Sequence, residues 1–289
     1  MADLKVGSVW AVLTAAGTGV RFGADTPKAL VRVDGKALLV HALETLLRVP
    51  GIQGVVVTVT PGQREIFERE LAAAVPEYLP AGSSSAISAH HTVAPGFSWG
   101  GFPGAGFSGS VFSGASVAPL VTVVEGGASR QDSVRRGLAR LRDFAVEMGR
   151  ALEPVTPILI HDAARPFAPL ELMERLVQAV VGGNVAVVPG LPVADTIKEV
   201  QDAQLPPGGS LVVQTPRRET LRAIQTPQIF RWETIWVAHQ QLCALGEDDS
   251  TALTDDAALV ERLGGVVRVI EGDPLAYKIT VPADLERGR

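Results

Sequence analysis

Two cations stand close together near the start of the chain, Arg21 and Lys28, within "AAGTGVRFGADTPKAL" (residues 15–30). Gly17, Gly19 and Gly23 crowd the same stretch, which leaves the apolar run "SVWAVLT" (8–14). Glycines put no side chain between the backbone and a ligand, so the N–H groups of such a turn can approach a phosphate. A guanidinium and an ammonium then add positive charge to the same anion. The chemistry this combination fits is the handling of a phosphate chain. Two common forms of it do not fit. The dinucleotide fingerprint places its third glycine three residues after the second, whereas Gly23 stands one residue farther from Gly19, and Pro27 interrupts any early helix. Nor does the turn close on the Gly-Lys-Ser/Thr of a P-loop. Taken alone, a glycine-rich exit from a strand is also ordinary turn chemistry.

Further polar groups recur down the chain. "GGASRQDSVRRGL" (126–138) sets two glycines before a helix-like run that carries Ser133. "HDAARPF" (161–167) places Asp162 and Arg165 after another apolar run, and "VADTIK" (193–198) carries Asp195 and Thr196. "RRETLRAIQTPQ" (217–228) holds Arg218 and Thr226, "LTDDA" (253–257) holds Thr254, Asp255 and Asp256, and "YKIT" (277–280) brings Lys278.

The elements that must position these groups alternate. Strand-like runs lie at 8–14, 52–59, 119–125, 157–163 and 184–189. Apolar residues at three- and four-residue spacing mark helices at 37–48, 62–75, 130–148 and 170–180. Val/Ile-rich runs alternating with amphipathic helices predict an α/β fold, a mostly parallel sheet with helices on both faces. Ligands of such sheets bind at the carboxyl ends of the strands, where the glycine turn and the later motifs fall.

Composition narrows the function classes. Of 289 residues, 46% are apolar and 20% charged, and the net charge is −5. A globally basic field for nucleic acid or an acidic membrane is absent, so an anionic substrate needs locally gathered cations. The single cysteine, Cys243, excludes an internal disulfide and points to a reducing cytoplasm; its helical, apolar context reads as inert. The first residues lack the features of a signal peptide, and no run reaches membrane-spanning length.

Residues 81–118 break the alternation. They contain no Asp, Glu, Lys or Arg, are rich in Gly and Ser, and repeat Phe97, Phe102, Phe107 and Phe112 every five residues. Five is the period of neither helix nor strand. The stretch reads as a low-complexity insertion, a surface excursion of a single domain spanning 1–289, with a covering element over the site as the other reading. His90 and His91 inside it do not read as metal ligands.

"AAGTGVRFG…PKAL", "GGASRQDSV", "HDAARPF", "VADTIK", "QTPQ", "LTDDA" and "KIT" follow the order and approximate spacing seen in the 2-C-methyl-D-erythritol 4-phosphate cytidylyltransferases, and the chain resembles that family over nearly its whole length outside 81–118. The resemblance implies a Rossmann-like nucleotidyltransferase sheet, a protruding arm over 193–226 and a homodimer. It implies cytidylyl transfer from CTP to an alditol phosphate in the non-mevalonate isoprenoid route, with Mg²⁺ carried mainly on the CTP phosphates and no metal site of the protein's own. By motif, Arg21 and Lys28 correspond to the transition-state stabilisers, and Arg218 and Lys278 to the residues that position the methylerythritol phosphate. Ala15, Ala16, Gly17, Gly127 and Ser133 fall where the family holds the cytidine base. Asp162 also falls on the nucleotide side, and Arg165, Thr196, Thr226 and Thr254 match other substrate-facing positions. The chain departs from the family pattern at Arg217, where an acidic residue is common, at Arg222, and at Ala276, where Asn is common.

The residue inventory suits that reaction. A phosphate monoester is mostly dianionic at neutral pH and needs no base to make it a nucleophile, so no catalytic His or Cys is required. The obstacle is charge, which fixed cations and Mg²⁺ offset. His161 beside Asp162 suggests an acid–base pair, yet side chains alternate along a strand, so one of the two is expected to point elsewhere. "DDSTALTDD" (248–256) lacks the glycine and terminal Glu of a calcium loop and reads as a helix N-terminus. Ribitol 5-phosphate cytidylyltransferase, an inactive nucleotide-binding subunit and, more weakly, a dinucleotide-dependent oxidoreductase are the alternatives.

Overall fold

A computed structural model describes residues 8–17, 27–80, 119–203, 209–242 and 254–288. The central strand is β1 (Val9–Thr14), whose first five residues are fully buried. It pairs in parallel with β4 (Ile52–Val59) on one side and β6 (Pro157–Asp162) on the other; β4 in turn pairs in parallel with β5 (Leu120–Glu125). β2 (Arg32–Val33) and β3 (Lys36–Ala37) form a small separate hairpin. These parallel strands match the Val/Ile runs of the sequence within one or two residues.

The sheet then departs from the expected parallel order. β11 (Gln228–Arg231) enters antiparallel between β6 and β7 (Ala186–Pro192). β7 also carries β10 (Arg222–Ile224), antiparallel, and β12 (Val267–Glu271), parallel, giving eight strands in the order β5-β4-β1-β6-β11-β7 with β10 and β12 on β7. Residues 222–224 of the proposed arm thus return to the main sheet. What stands apart is an antiparallel hairpin of β8 (Glu199–Ala203) and β9 (Gly209–Gln214), and every residue of β9 is exposed. The 81–118 insertion, Arg21 and Cys243 lie outside the described residues.

Strand alternation divides the core into two layers. Val9, Ala11 and Leu13 of β1 face α1 (Leu38–Leu47), α2 (Arg64–Ala74) and α4 (Leu170–Val181), through residues such as Leu43, Phe67 and Leu176. Trp10 and Val12 face α3 (Arg130–Glu147), α5 (Trp232–Leu242) and α6 (Asp256–Arg262), through Leu138, Ile235 and Val260. The period-2 pattern of a doubly covered strand and the period-3.6 pattern of its helices are thereby both satisfied. Gly137 sets the seat of α3: a Cβ there would lie 2.6 Å from Val12 and 2.8 Å from Thr58, so only glycine lets the helix come this close. That close seat fixes where the N-terminus of α3 emerges, beside the ends of β1, β4 and β5.

Candidate active site

A cavity of about 650 Å³ opens at the carboxyl ends of β1, β4, β5 and β6, lined by Thr14 to Gly17, Lys28, Thr60, Gly126 to Arg130, Ser133, Arg136, Asp162 to Ala164 and Lys278, among others. It brings together eight of the sequence-derived site residues: Ala15, Ala16, Gly17, Lys28, Gly127, Ser133, Asp162 and Lys278. Lys28 starts a single 3-10 turn, Lys28–Leu30, whose Ala29 and Leu30 are buried and so pin the lysine at the rim. Lys278 is held by its neighbour. Ile279 is fully buried and its N–H donates to the Ala164 carbonyl at 2.8 Å.

The glycine-rich exit of β5 is shaped by α3. Ser129 caps the helix by accepting from the Asp132 N–H at 3.0 Å. Ser133 Oγ accepts from the Gly127 N–H at 3.0 Å and donates to the Ser129 carbonyl at 2.8 Å. A Cβ on Gly127 would fall 1.6 Å from Asp132 Oδ2 and 2.6 Å from Asp132 Cβ, so any side chain there would force Asp132 out of its place in the first turn of α3. The result is a rigid backbone cradle at a helix N-terminus, a ready place for an anion or a polar ring edge.

Asp162 is the one acidic side chain among the cavity's described residues. Its Oδ1 accepts from Thr14 Oγ1 at 3.1 Å and from Arg130 Nε at 3.2 Å, and its Oδ2 accepts from Lys278 Nζ at 3.0 Å. Burial opposes the charge on Asp162, but Arg130, Lys278 and Arg165 outweigh it and hold the carboxyl well below the usual carboxylate range. Lys28, Arg130, Arg136 and Lys278 supply positive charge around the same space. Arg136 also pairs with Asp132 at 3.2 Å.

Arg130 and Arg136 are not singled out by sequence reasoning, and Asp256 is read there only as a polar group of "LTDDA" at a helix N-terminus, with no partner named. Arg130 is the first residue of α3, and its Nη1 donates at 2.7 Å to Asp256, which is fully buried on α6. His239 of α5 donates from Nε2 to the other Asp256 oxygen at 3.1 Å. Of the paired acids in "LTDDA", Asp255 is the helix cap, accepting from the Ala258 N–H at 2.9 Å, as expected of a helix start. Asp256 is instead an ion-pair partner. An arginine in the first turn of α3 and the doubled Asp were the available signals, but neither says that the two meet.

Other predicted residues lie outside the cavity lining. Thr226 is buried beneath the floor, where its Oγ1 accepts from the Asp162 N–H at 3.0 Å and meets His161 Nδ1 at 3.0 Å. His161 points away from Asp162, as strand alternation requires. Its Nε2 faces the Arg165 carbonyl at 3.2 Å, which makes Nε2 the protonated nitrogen and Nδ1 the acceptor of the threonine hydroxyl. Burial lowers the His161 pKa to about 4, so the ring is neutral and built into the core. Arg165 turns its guanidinium to the Ala276 carbonyl at 2.7 Å and ties down the segment carrying Lys278. Ala276 is fully buried there, with its backbone taking the part of a latch. Thr196 and Thr254 are exposed, and Arg218 donates to the Ala194 carbonyl at 2.9 Å near the base of the hairpin.

The fold and the strand-end cavity define an α/β nucleotidyltransferase. The model of the 2-C-methyl-D-erythritol 4-phosphate cytidylyltransferase family matches residues 9–89 and 109–289, and the chain belongs to that family. It is 37% identical over 289 residues to the 2-C-methyl-D-erythritol 4-phosphate cytidylyltransferase of Rhodococcus jostii, covering 100% of this chain and 96% of that one. The enzyme of the same name from Streptomyces avermitilis is 35% identical over 277 residues, covering 95% of this chain and 88% of that one. The solved structure of the Thermus thermophilus 2-C-methyl-D-erythritol 4-phosphate cytidylyltransferase superimposes with a TM-score of 0.58 at 28% identity, over 97% of this chain and 96% of that one. The family model passes over residues 90–108, inside the low-complexity stretch. Members of the family are enzymes that transfer cytidylyl groups from CTP.

Proposed function

We propose that the strand-end cavity is where this chain transfers a cytidylyl group from CTP to 2-C-methyl-D-erythritol 4-phosphate, releasing pyrophosphate and leaving 4-diphosphocytidyl-2-C-methyl-D-erythritol. The observation that carries the reading is the ring of Lys28, Arg130, Arg136 and Lys278 around one buried carboxylate at the ends of β1, β5 and β6. A phosphate oxygen of the acceptor attacks the α-phosphorus of CTP, the new P–O bond forms, and the bond to the β-phosphate breaks with its electron pair leaving on pyrophosphate. The nucleophile arrives deprotonated, so the protein's task is to bring two polyanions together and to stabilise the charge that builds on the α-phosphate and the leaving group. In this reading the cradle of Gly126, Gly127 and Ser133 takes the nucleotide, Lys28 and Arg21 serve the triphosphate, and Lys278 serves the acceptor phosphate.

Mg²⁺ would neutralise phosphate charge when bound. No group of three or more metal-ligating side chains exists among the described residues. Asp162 fits at most one position of such an ion, since its Oδ2 carries the bond from Lys278 alone. The donor set therefore suits an ion held mainly by phosphate oxygens, not a protein cage.

The hairpin supports a dimer. Val200, Leu211, Val212 and Val213 are each more than half exposed, and an isolated two-stranded hairpin is marginal in water. A second copy that receives the hairpin would cover them and place Arg218 at a neighbouring site. The lone Cys243 fits a reaction in the reducing cytoplasm.

The test is pyrophosphate release with CTP, ATP, GTP and UTP, each with methylerythritol phosphate and, separately, with ribitol 5-phosphate. Turnover confined to CTP and methylerythritol phosphate is the expected outcome. Preference for ribitol 5-phosphate, or no turnover with either, overturns the assignment.

A further inference from the structure

We propose that Asp256, which does not line the cavity, is a positioning residue for the reaction: through Arg130 it keeps the carboxylate of Asp162 available to hold Lys278. The argument rests on how one guanidinium is divided. Arg130 gives Nε to Asp162 at 3.2 Å and Nη1 to Asp256 at 2.7 Å. An arginine and a carboxylate otherwise favour a two-point pair that engages both carboxylate oxygens. Bonded to Nη1, Asp256 draws the far side of the guanidinium toward α6, while Nη2, the donor that would complete a two-point pair with Asp162 beside Nε, is left without a partner among the described residues. Asp162 Oδ2 is thereby left to Lys278 Nζ at 3.0 Å. Asp256 is itself fixed, being fully buried and bonded through its other oxygen to His239, also fully buried. Arg130 Nη2 is buried and has no hydrogen-bond partner among the described residues, so the guanidinium is held for its two carboxylates at the expense of one donor.

Loss of the Asp256 charge should let Arg130 close onto both oxygens of Asp162 and displace Lys278. The consequence falls on whichever phosphate Lys278 binds, which under the proposed function is that of the acceptor. This step rests on that reading.

The experiment is steady-state kinetics for both substrates with wild type, Asp256→Asn, Arg130→Lys, Lys278→Ala and the double variant Asp256→Asn/Lys278→Ala, with a melting curve for each. Asp256→Asn is expected to raise KM for methylerythritol phosphate roughly 10- to 100-fold, the scale of one hydrogen bond to a charged group, with KM for CTP within a few-fold. Arg130→Lys, whose ammonium cannot span both carboxylates, should do the same, and keeps the test open if Asp256→Asn does not fold. In the Lys278→Ala background, Asp256→Asn should have little further effect. Additive losses in the double variant, or equal damage to both substrates tracking the fall in melting temperature, would show a purely structural Asp256. An inactive wild type would instead strike the proposed function, before any variant is compared.

Discussion

Lys278 Nζ lies 3.0 Å from Asp162 Oδ2, across 116 residues of sequence. The pair sets a cation over the cavity while its side chain stays 44% exposed, which leaves it room to meet a ligand. An exposed ammonium of this kind adds little to stability, so its removal should be read in function. Lys278→Ala is expected to impair use of the alditol phosphate while titration calorimetry shows CTP affinity close to wild type. A collapse of CTP binding instead would assign Lys278 to the wrong substrate.

Lys28 sits at the cavity rim on a turn anchored by two buried residues, so its side chain can be cut without loss of the fold. Lys28→Ala should lower kcat by about 10²–10³, the range for removing one preorganised charge-stabilising donor, with an unchanged melting temperature. Arg21→Ala, from the same glycine-rich stretch, should fall in the same range. Full turnover in either folded variant would refute the role given to it.

His161 makes stability depend on pH with a defined sign. Burial depresses its folded pKa to about 4, against about 6.5 in an unfolded chain. The unfolded state therefore binds the proton first, and stability falls as pH drops from about 6.5 toward 4. The full loss from this group is roughly 3 kcal/mol. Asp162 acts lower, because its depressed pKa contributes stability that is lost only below the ordinary carboxylate range near 4. Thermal melts at pH 7, 6, 5 and 4.5 should show the slope, and His161→Gln should flatten it. A variant with the wild-type slope would show that another group carries the effect.

Arg218 stands near the base of the exposed hairpin and does not line the cavity of its own chain. If it serves a neighbour, Arg218→Ala and Lys28→Ala, each inactive alone, should regain activity when mixed and allowed to exchange subunits. One site of the mixed dimer then has both residues intact. Light scattering should show the dimer that this requires. Absence of recovery after demonstrated exchange would place Arg218 in its own chain's site.

Some of this was legible in local sequence. The strands of the parallel half are runs of Val and Ile long enough to be buried on both sides, and their helices carry a single apolar stripe. Both patterns depend on near neighbours, so they survive without knowledge of the fold. The glycine exit at residue 17, the Gly126–Gly127 turn and Asp162 at the end of β6 follow from the rule that such sheets bind ligands at their strand ends. Alternation along β6 also separates His161 from Asp162.

Only the tertiary structure decided the rest. Four residues of β11 run antiparallel between β6 and β7, and nothing in "QIFR" encodes its neighbours or direction. Thr226 becomes a floor support and not a wall of the cavity, because that antiparallel strand carries it beneath Asp162. The bond from Arg130 to Asp256 spans 126 residues and joins two helix starts that meet only when α3 and α6 pack on the same face. Local pattern reports which side of an element is apolar. Which charged side chains then share one guanidinium depends on the crossing of distant elements, and that is settled by packing.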